Sequence, residues 1–400
     1  MDYHQQLCST RIFDMQNMPN HAEDEEMLFP VRKRAPELAC KQARICEFLE
    51  ANSLDGLLVT RHENIAWATA GVVEMRVNAI REVGAGSLLF TRKGGAYYLT
   101  TNNEAPRMAD EEFAGRGLTE FVAVIEPWES ANPVEAARKI VGQGKLCGDD
   151  PASGLPAVSM KSLRLALTEG EMARYRWLGQ NVAESVTKTL QALRPGMSEA
   201  AMQGLLAQEL IARRILPSTQ LMAADARILK YRHAVTRDGV LERFGMLNLC
   251  ARRWGLVISM TRFVHFGAMP ARLKDKFSAA EKVNAALLEA TREGATSEEL
   301  FLTARASYAA HGYPGEEKMH PQGGATGYWE REWLARPGGT EQILKTQAVA
   351  WNPNIQGAKV EDTVLVNNDA LEIITPTPEL PMVETTLNGK VYRTAGVLLA

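Results

Sequence analysis

Residues capable of chemistry crowd into two stretches near the C-terminus, MHPQGGATGYWERE (319–332) and AWNPNIQGAKVEDT (350–363). In the first, Gly323, Gly324 and Gly327 permit tight backbone geometry and close approach of a ligand. His320, Gln322, Tyr328, Glu330, Arg331 and Glu332 supply polar groups, and Trp329, Trp333 and Trp351 supply apolar walls. A glycine-rich turn with solvent-facing charges would explain one such residue; the whole cluster reads better as a binding or catalytic site. His233, in YRHAV, and Glu361 extend the set. A buried histidine near a carboxylate can titrate close to neutrality and act as a general base. The catalytic candidates are therefore His233, His320, Glu332 and Glu361, and the substrate-binding candidates here are Gln322, Tyr328 and Arg331. Taken singly, His233 also reads as a satisfied loop histidine and Glu361 as a structural carboxylate. His265, within a strand, and His311, before Gly312, read as structural.

These residues need elements to hold them, and the second half of the chain contains a faint repeat. RPGMSEAAMQGLLAQELIARRI begins at Arg194 and REGATSEELFLTARASYAAHGYP at Arg292. Each has a glycine, then Ser-Glu, then an amphipathic helix, with Ser198 and Ser297 as expected N-caps. Each helix leads to a loop with a histidine, His233 or His320, and then to strands. The strands are FGMLNLC and GLVISMTRFVHF in the first copy, QAVAWNP and EDTVLVN in the second. This predicts a duplicated α/β layer that buries a site between its halves.

The first half alternates helix and strand signals. Leu38, Ile45, Phe48 and Leu49 fall at helical spacing between Arg34 and Asn52, although Lys41 and Gln42 interrupt the stripe. LDGLLVT (54–60) reads as a buried strand, SLLFT (87–91) and AYYLTT (96–101) as a hairpin, and EFVAVIE (120–126) as another strand. Thr168 and Glu171 form a capping-box pattern at the start of a long helix. The expected fold class is α/β (α+β). The expected organisation is an arm over 1–30, an N-terminal domain over 31–160 and a C-terminal domain over 161–400. The arm reads as a tail or as a segment that packs on a partner subunit.

Composition excludes several classes. The formal charge is −3, with 46% hydrophobic and 23% charged residues. That argues against a basic nucleic-acid binder and gives no electrostatic reason to expect a membrane surface. No apolar run has the length of a spanning helix. The N-terminus lacks the basic start and apolar core of a signal peptide. The five cysteines are odd in number and lack CxxC spacing, as expected of a reduced cytoplasmic protein.

Several motifs, in order from about 35 to 395, resemble the clan of methionine aminopeptidases, Xaa-Pro peptidases (prolidase, aminopeptidase P) and creatinase. NIAWATAG (64–71) is similar to the end of an N-domain strand in prolidases. GLVISMTRFVHFG retains the Thr-Arg of the clan's stretch, as Thr261 and Arg262. GGATG matches Gly-His-Gly-Ile-Gly, AWNPN the stretch containing Glu-Pro, and GAKVEDTVLV the last motif almost completely. The resemblance implies a pita-bread fold, with a creatinase-like N-terminal domain and an internally duplicated catalytic domain.

In peptidases of this clan, two metal ions are held by two Asp, one His and two Glu. Carried over by position, the two Asp fall on Asn248 and Ser259, the His on Gly324 and the first Glu on Asn352. Only the last Glu survives, as Glu361, and the resemblance makes Asn248 and Asn352, with amides where the peptidases have charged ligands, substrate-binding candidates. The expectation is no metal and no other cofactor, because Asn, Ser and Gly cannot balance two divalent cations. Creatinase cleaves a C–N bond without metal, using a histidine in the loop before the first hairpin, and His233 lies near that place. Creatinase's two glutamates fall near Thr261 and on Asn352, so its chemistry does not carry over residue by residue. In creatinase-like dimers the segment matching EMRVNAIRE (74–82) enters the partner's site. That makes Arg76 and Arg81 candidates for binding a substrate carboxylate, alongside a reading as exposed arginines. The leading expectation is a homodimeric, metal-independent hydrolase of a small C–N-bonded, carboxylated substrate. The alternatives are a catalytically silent binding module and an aminopeptidase with a metal site rearranged onto His320, Glu332 and Glu361.

Overall fold

The computed structural model describes residues 30–368 and 370–400, so the expected arm lies outside the described residues apart from Pro30. The N-terminal part begins with a helix, Val31–Ala51. Strands β1 (Gly56–Arg61), β2 (Val83–Thr91), β3 (Ala96–Thr101), β4 (Val122–Glu126) and β5 (Leu146–Gly148) follow. They form one mixed sheet in the order β4-β3-β2-β1-β5. The hairpin read from sequence is present, with Phe90 opposite Ala96 and Ser87 opposite Leu99. Alternation along β1 sends Leu57 and Val59 to a core with Ile45, Leu49 and Trp67. Leu58 faces the other way, against Ala136 and Ala137 of the helix Pro133–Val141. Period-two burial therefore covers both faces of this sheet.

Two local readings change. NIAWATAG is not a strand end: His62–Ala68 is a short, wholly buried helix. The Asp149 carboxylate bends the chain into it, accepting from the Thr60 and Arg61 amides at 2.8 and 3.0 Å and from Asn64 at 2.9 Å. The polar break in the first helix is also not a solvent face. Lys41 is fully buried, and its ammonium lies 2.6 Å from Glu37 and 2.9 Å from Glu171.

The C-terminal part starts with the helix Glu169–Ala192, capped by Thr168 and Glu171 as expected. The helix Glu199–Ala212 follows, with Ser198 as N-cap. Strands β6 (Leu216–Ala224), β7 (Phe244–Arg253) and β8 (Leu256–His265) lie antiparallel beside one another. The second copy has the helices Ala271–Ala290 and Ser297–Ala310. Its strands are β9 (Gly323–Thr326), β10 (Thr346–Trp351), the short pair β11 (Asn354–Ile355) and β12 (Ala358–Lys359), β13 (Asp362–Asn367) and β14 (Ala370–Ile373). A closing hairpin, β15 (Met382–Leu387) and β16 (Lys390–Ala395), precedes β17 (Leu398–Leu399), which adds to β8.

The internal duplication is visible in the pairing. Ser198 bridges Val240 in the first copy, and Thr296 bridges Gln342 in the second. The N-cap of the second copy is Thr296, not Ser297. Thr296 accepts from the Glu299 amide in a full capping box, while the Ser297 hydroxyl donates to the Leu334 carbonyl at 2.8 Å. The two sheets, β17-β8-β7-β6 and β14-β13-β10-β9, touch at an antiparallel bridge between Thr261 and Glu361. Thr363 Oγ1 locks the same seam, accepting from the Ser259 amide and donating to its carbonyl, both at 2.9 Å.

Candidate active site

The seam between the sheets gathers the residues singled out from sequence. On the β7–β8 hairpin Asn248 lies opposite Thr261, and Cys250 opposite Ser259. Glu361 projects into this row and is buried. Its Oε2 accepts from Thr261 Oγ1 at 2.5 Å and Asn248 Nδ2 at 2.6 Å, and meets Lys359 Nζ at 3.0 Å. Its Oε1 meets Arg331 Nη2 at 3.3 Å, while Arg331 Nη1 donates to Ser259 Oγ at 3.0 Å. Burial pushes the Glu361 carboxyl up, but Lys359 and Arg331 outweigh it, so the group is held below the usual carboxylate range.

The flanks of this motif have a mechanical role. Arg262 donates to Asp362 at 2.6 Å, to the Thr375 carbonyl at 2.8 Å and to the Glu361 carbonyl at 3.1 Å. Thr-Arg on β8 and Glu-Asp-Thr on β13 are thus one interlocked joint. It fixes the backbone on which Glu361 stands.

The residues present do not fit a dinuclear metal centre. Asn248, Ser259 and Asn352 offer neutral donors, and two cations already serve Glu361. No three His, Cys, Asp or Glu side chains converge on a common point among the described residues. At Gly324 a Cβ would lie 2.1 Å from the Trp333 carbonyl oxygen, so no side chain can enter there unless the backbone moves. At Gly323 the same test meets the Ala350 carbonyl oxygen at 2.1 Å.

His233 and His320 meet, but not in the expected way. Their Nε2 atoms are 3.1 Å apart, and His320 Nδ1 is 2.6 Å from the Pro321 carbonyl oxygen. A carbonyl only accepts, so His320 carries its proton on Nδ1 and presents an Nε2 lone pair. His233 must then donate from Nε2, which leaves its Nδ1 as an unprotonated acceptor. Burial, with Lys359 and His233 nearby, pushes His320 down to about 3 against the pull of Glu361. His233 is exposed overall, but the partial burial of its ring, with Lys359 nearby, lowers it as well. Both rings are neutral at pH 7. The expected pairing of a histidine with Glu361 or Glu332 is corrected: the donors described above already hold Glu361, and Glu332 faces elsewhere.

Glu332 makes a two-pronged pair with Arg164, both contacts at 2.8 Å. Arg164 continues to Asn64 at 2.5 Å, beside a groove of about 480 Å³ lined by Arg61, Asp149 and Trp329. Tyr328 is likewise not at the seam. Its hydroxyl is fully buried and donates to Glu171 at 2.7 Å, within the Lys41 cluster. Gln322 is buried between Tyr308, whose hydroxyl donates to it at 2.6 Å, and the His320 carbonyl. Asn352 is buried, and its Oδ1 has no partner among the described residues. Arg76 is held by Glu74 of its own loop at 2.7 and 2.9 Å, and Arg81 is exposed.

Lys359 was missed. Its signal was its place two residues before Glu361 in an extended stretch, which puts both side chains on one face.

Residues 173–368 match the model of metallopeptidase family M24. Over 360 residues the chain is 21% identical to the Xaa-Pro dipeptidase of Pyrococcus horikoshii, covering 84% of this chain and 97% of that protein. The structure of an Xaa-Pro dipeptidase from Bacillus anthracis matches with a TM-score of 0.67 at 18% identity, covering 91% of this chain and 100% of that one. The prolidase from Pyrococcus horikoshii gives 0.64 at 18% identity, covering 84% and 98%. The N-terminal domain of a FACT complex subunit from Cicer arietinum gives 0.59 at 12% identity, covering 85% and 97%. The structural likenesses establish the fold.

Proposed function

Since this chain belongs to the Xaa-Pro peptidase and creatinase clan, with its pita-bread fold and an M24 domain, we propose that it is a metal-independent hydrolase of a small C–N-bonded, carboxylated substrate. The observation that carries this reading is the proton-ordered chain from the Pro321 carbonyl through His320 to His233. It leaves one neutral imidazole nitrogen, His233 Nδ1, without a partner among the described residues and able to take a proton from an attacking water. His320 orients that ring and keeps it in one tautomer, the positioning role a carboxylate has in other dyads. Asn352 Oδ1, buried without a partner, suits a substrate N–H, because an unmet buried acceptor is costly until a donor arrives. Arg331, anchored on Ser259 and Glu361, presents a guanidinium to negative charge.

A screen of N-acyl and amidino amino acids, run with a chelator present, tests the reading. Turnover of at least one substrate that persists in the chelator is expected. Turnover that appears only with added divalent metal would sink it.

A second reading, a catalytically silent binding module, is favoured by Glu361 itself. Both of its oxygens are engaged by donors of its own chain, so it is not free to act as a base or to orient a histidine. Saturable binding of a screen member without turnover would select this reading. The third expectation, a rearranged metal site, finds no support: Glu332 is turned to Arg164, and His320 Nε2 faces His233.

A further inference from the structure

We propose that the seam is an anion-binding site, in which Lys359 and Arg331 hold a small oxyanion (a carboxylate or a phosphate) where relatives of the clan hold metal cations. The inference rests on reading the seam as the working site, and it inverts that site's polarity.

Charge comes first. The clan's ligand positions carry four carboxylates, and here they retain one. Two cations, Lys359 and Arg331, face that single carboxylate, and the two histidines are neutral. One positive charge is therefore unmatched in a region where Lys359 is buried and Arg331 largely so. An uncompensated charge in such surroundings is costly, and an anion removes the cost.

Hydrogen bonding gives an independent argument. A lysine ammonium has three N–H donors. Among the described contacts Lys359 Nζ meets Glu361 alone, although the residue is only 5% exposed. Its ammonium therefore has more donors than the single acceptor described for it. A single oxyanion answers both shortages, in charge and in acceptors. A metal ion would worsen both.

The consequence for a carboxylated substrate is orientation. Its anionic end sits at the seam, on Lys359 and Arg331.

The test titrates the full-length protein with sodium acetate, sodium phosphate and manganese chloride in separate calorimetric arms. Saturable, one-to-one binding of acetate or phosphate is expected below about 10 mM, with none of manganese. Lys359→Met should weaken the anion by about thirtyfold or more, and Lys359→Arg should largely restore it. If Lys359→Met does not fold, Arg331→Met, at a more exposed position, must weaken the same anion. Stoichiometric manganese binding, or an anion affinity indifferent to these changes, overturns the proposal. So does the absence of saturation by either anion. Anion binding without turnover of any C–N substrate would retain this site and remove the hydrolase. Turnover of uncharged amides by a protein that binds no anion would do the reverse.

Discussion

The Nε2 atoms of His233 and His320 lie 3.1 Å apart, and the carbonyl of Pro321 behind them decides which nitrogen carries each proton. If His233 is the base, it works only when neutral, so the rate falls as pH drops through its pKa. Burial and Lys359 lower that pKa. The acid limb of kcat/KM should therefore lie below the usual imidazole value of about 6.5. Lys359→Met should move the limb upward, which a pH–rate profile reads directly. His233→Ala should lower kcat by about 10²–10⁴-fold with the fold intact by circular dichroism.

Gly324 predicts a stability effect. Gly324→Ala drives a methyl group into the Trp333 carbonyl and should destabilise the protein by about 1–3 kcal/mol. Urea unfolding checks this. Wild-type stability in Gly324→Ala would mean that the strand is looser than described.

The buried cluster of Lys41, Glu37, Glu171, Arg174 and Tyr328 ties the first helix to the C-terminal part. Lys41→Met leaves two buried carboxylates short of a cation and should cost about 3–5 kcal/mol. The cluster also sets an acid limit. Burial raises the Glu171 carboxyl, but Lys41 and Arg174 together hold it down to about 2. Its folded value lies below the unfolded value of about 4.3, so its contribution is complete above that pH and is lost as pH falls toward the folded value. Thermal melts between pH 5 and pH 2 should show this loss, and Lys41→Met should flatten it.

A homodimer is expected in solution. The loop carrying Arg76 and Arg81 displays Val77 at 71% and Ile80 at 89% exposure, an apolar pair suited to a partner subunit. Sedimentation should give twice the 44.1 kDa of one chain, and Val77→Asp with Ile80→Asp should shift it to the monomer. A wild-type monomer at micromolar concentration would remove any role for Arg81 in a neighbouring site.

Local rules were legible where local physics decides. Thr168 and Glu171 announced their capping box, and the hairpin at 87–101 followed from its strands and glycine turn. The shift of the second cap from Ser297 to Thr296 is one residue, with both hydroxyls available, and tertiary contact with Leu334 chose between them. Tyr328 and Glu332 could not be placed from spacing. Their partners, Glu171 and Arg164, are more than a hundred residues away, and nothing local records that. Lys41 looked like a flaw in a helical stripe because its compensating charge lies in the other half of the chain. The clan motifs located the seam, but they do not say that Lys359 and Arg331 flank Glu361 there.

The Trp333 carbonyl, 2.1 Å from where a Cβ of residue 324 would stand, also bears on whether a metal site could be rebuilt here. Asn248, Ser259 and Asn352 are each one side-chain change from a carboxylate ligand. Position 324 is different, because the neighbouring backbone occupies the space a histidine would need. Carboxylates could be introduced at those three singly, in any order, but a histidine at 324 requires the 333–334 segment to withdraw first. Restoring a histidine ligand at 324 is therefore a change of backbone as well as of side chain, which no single substitution supplies.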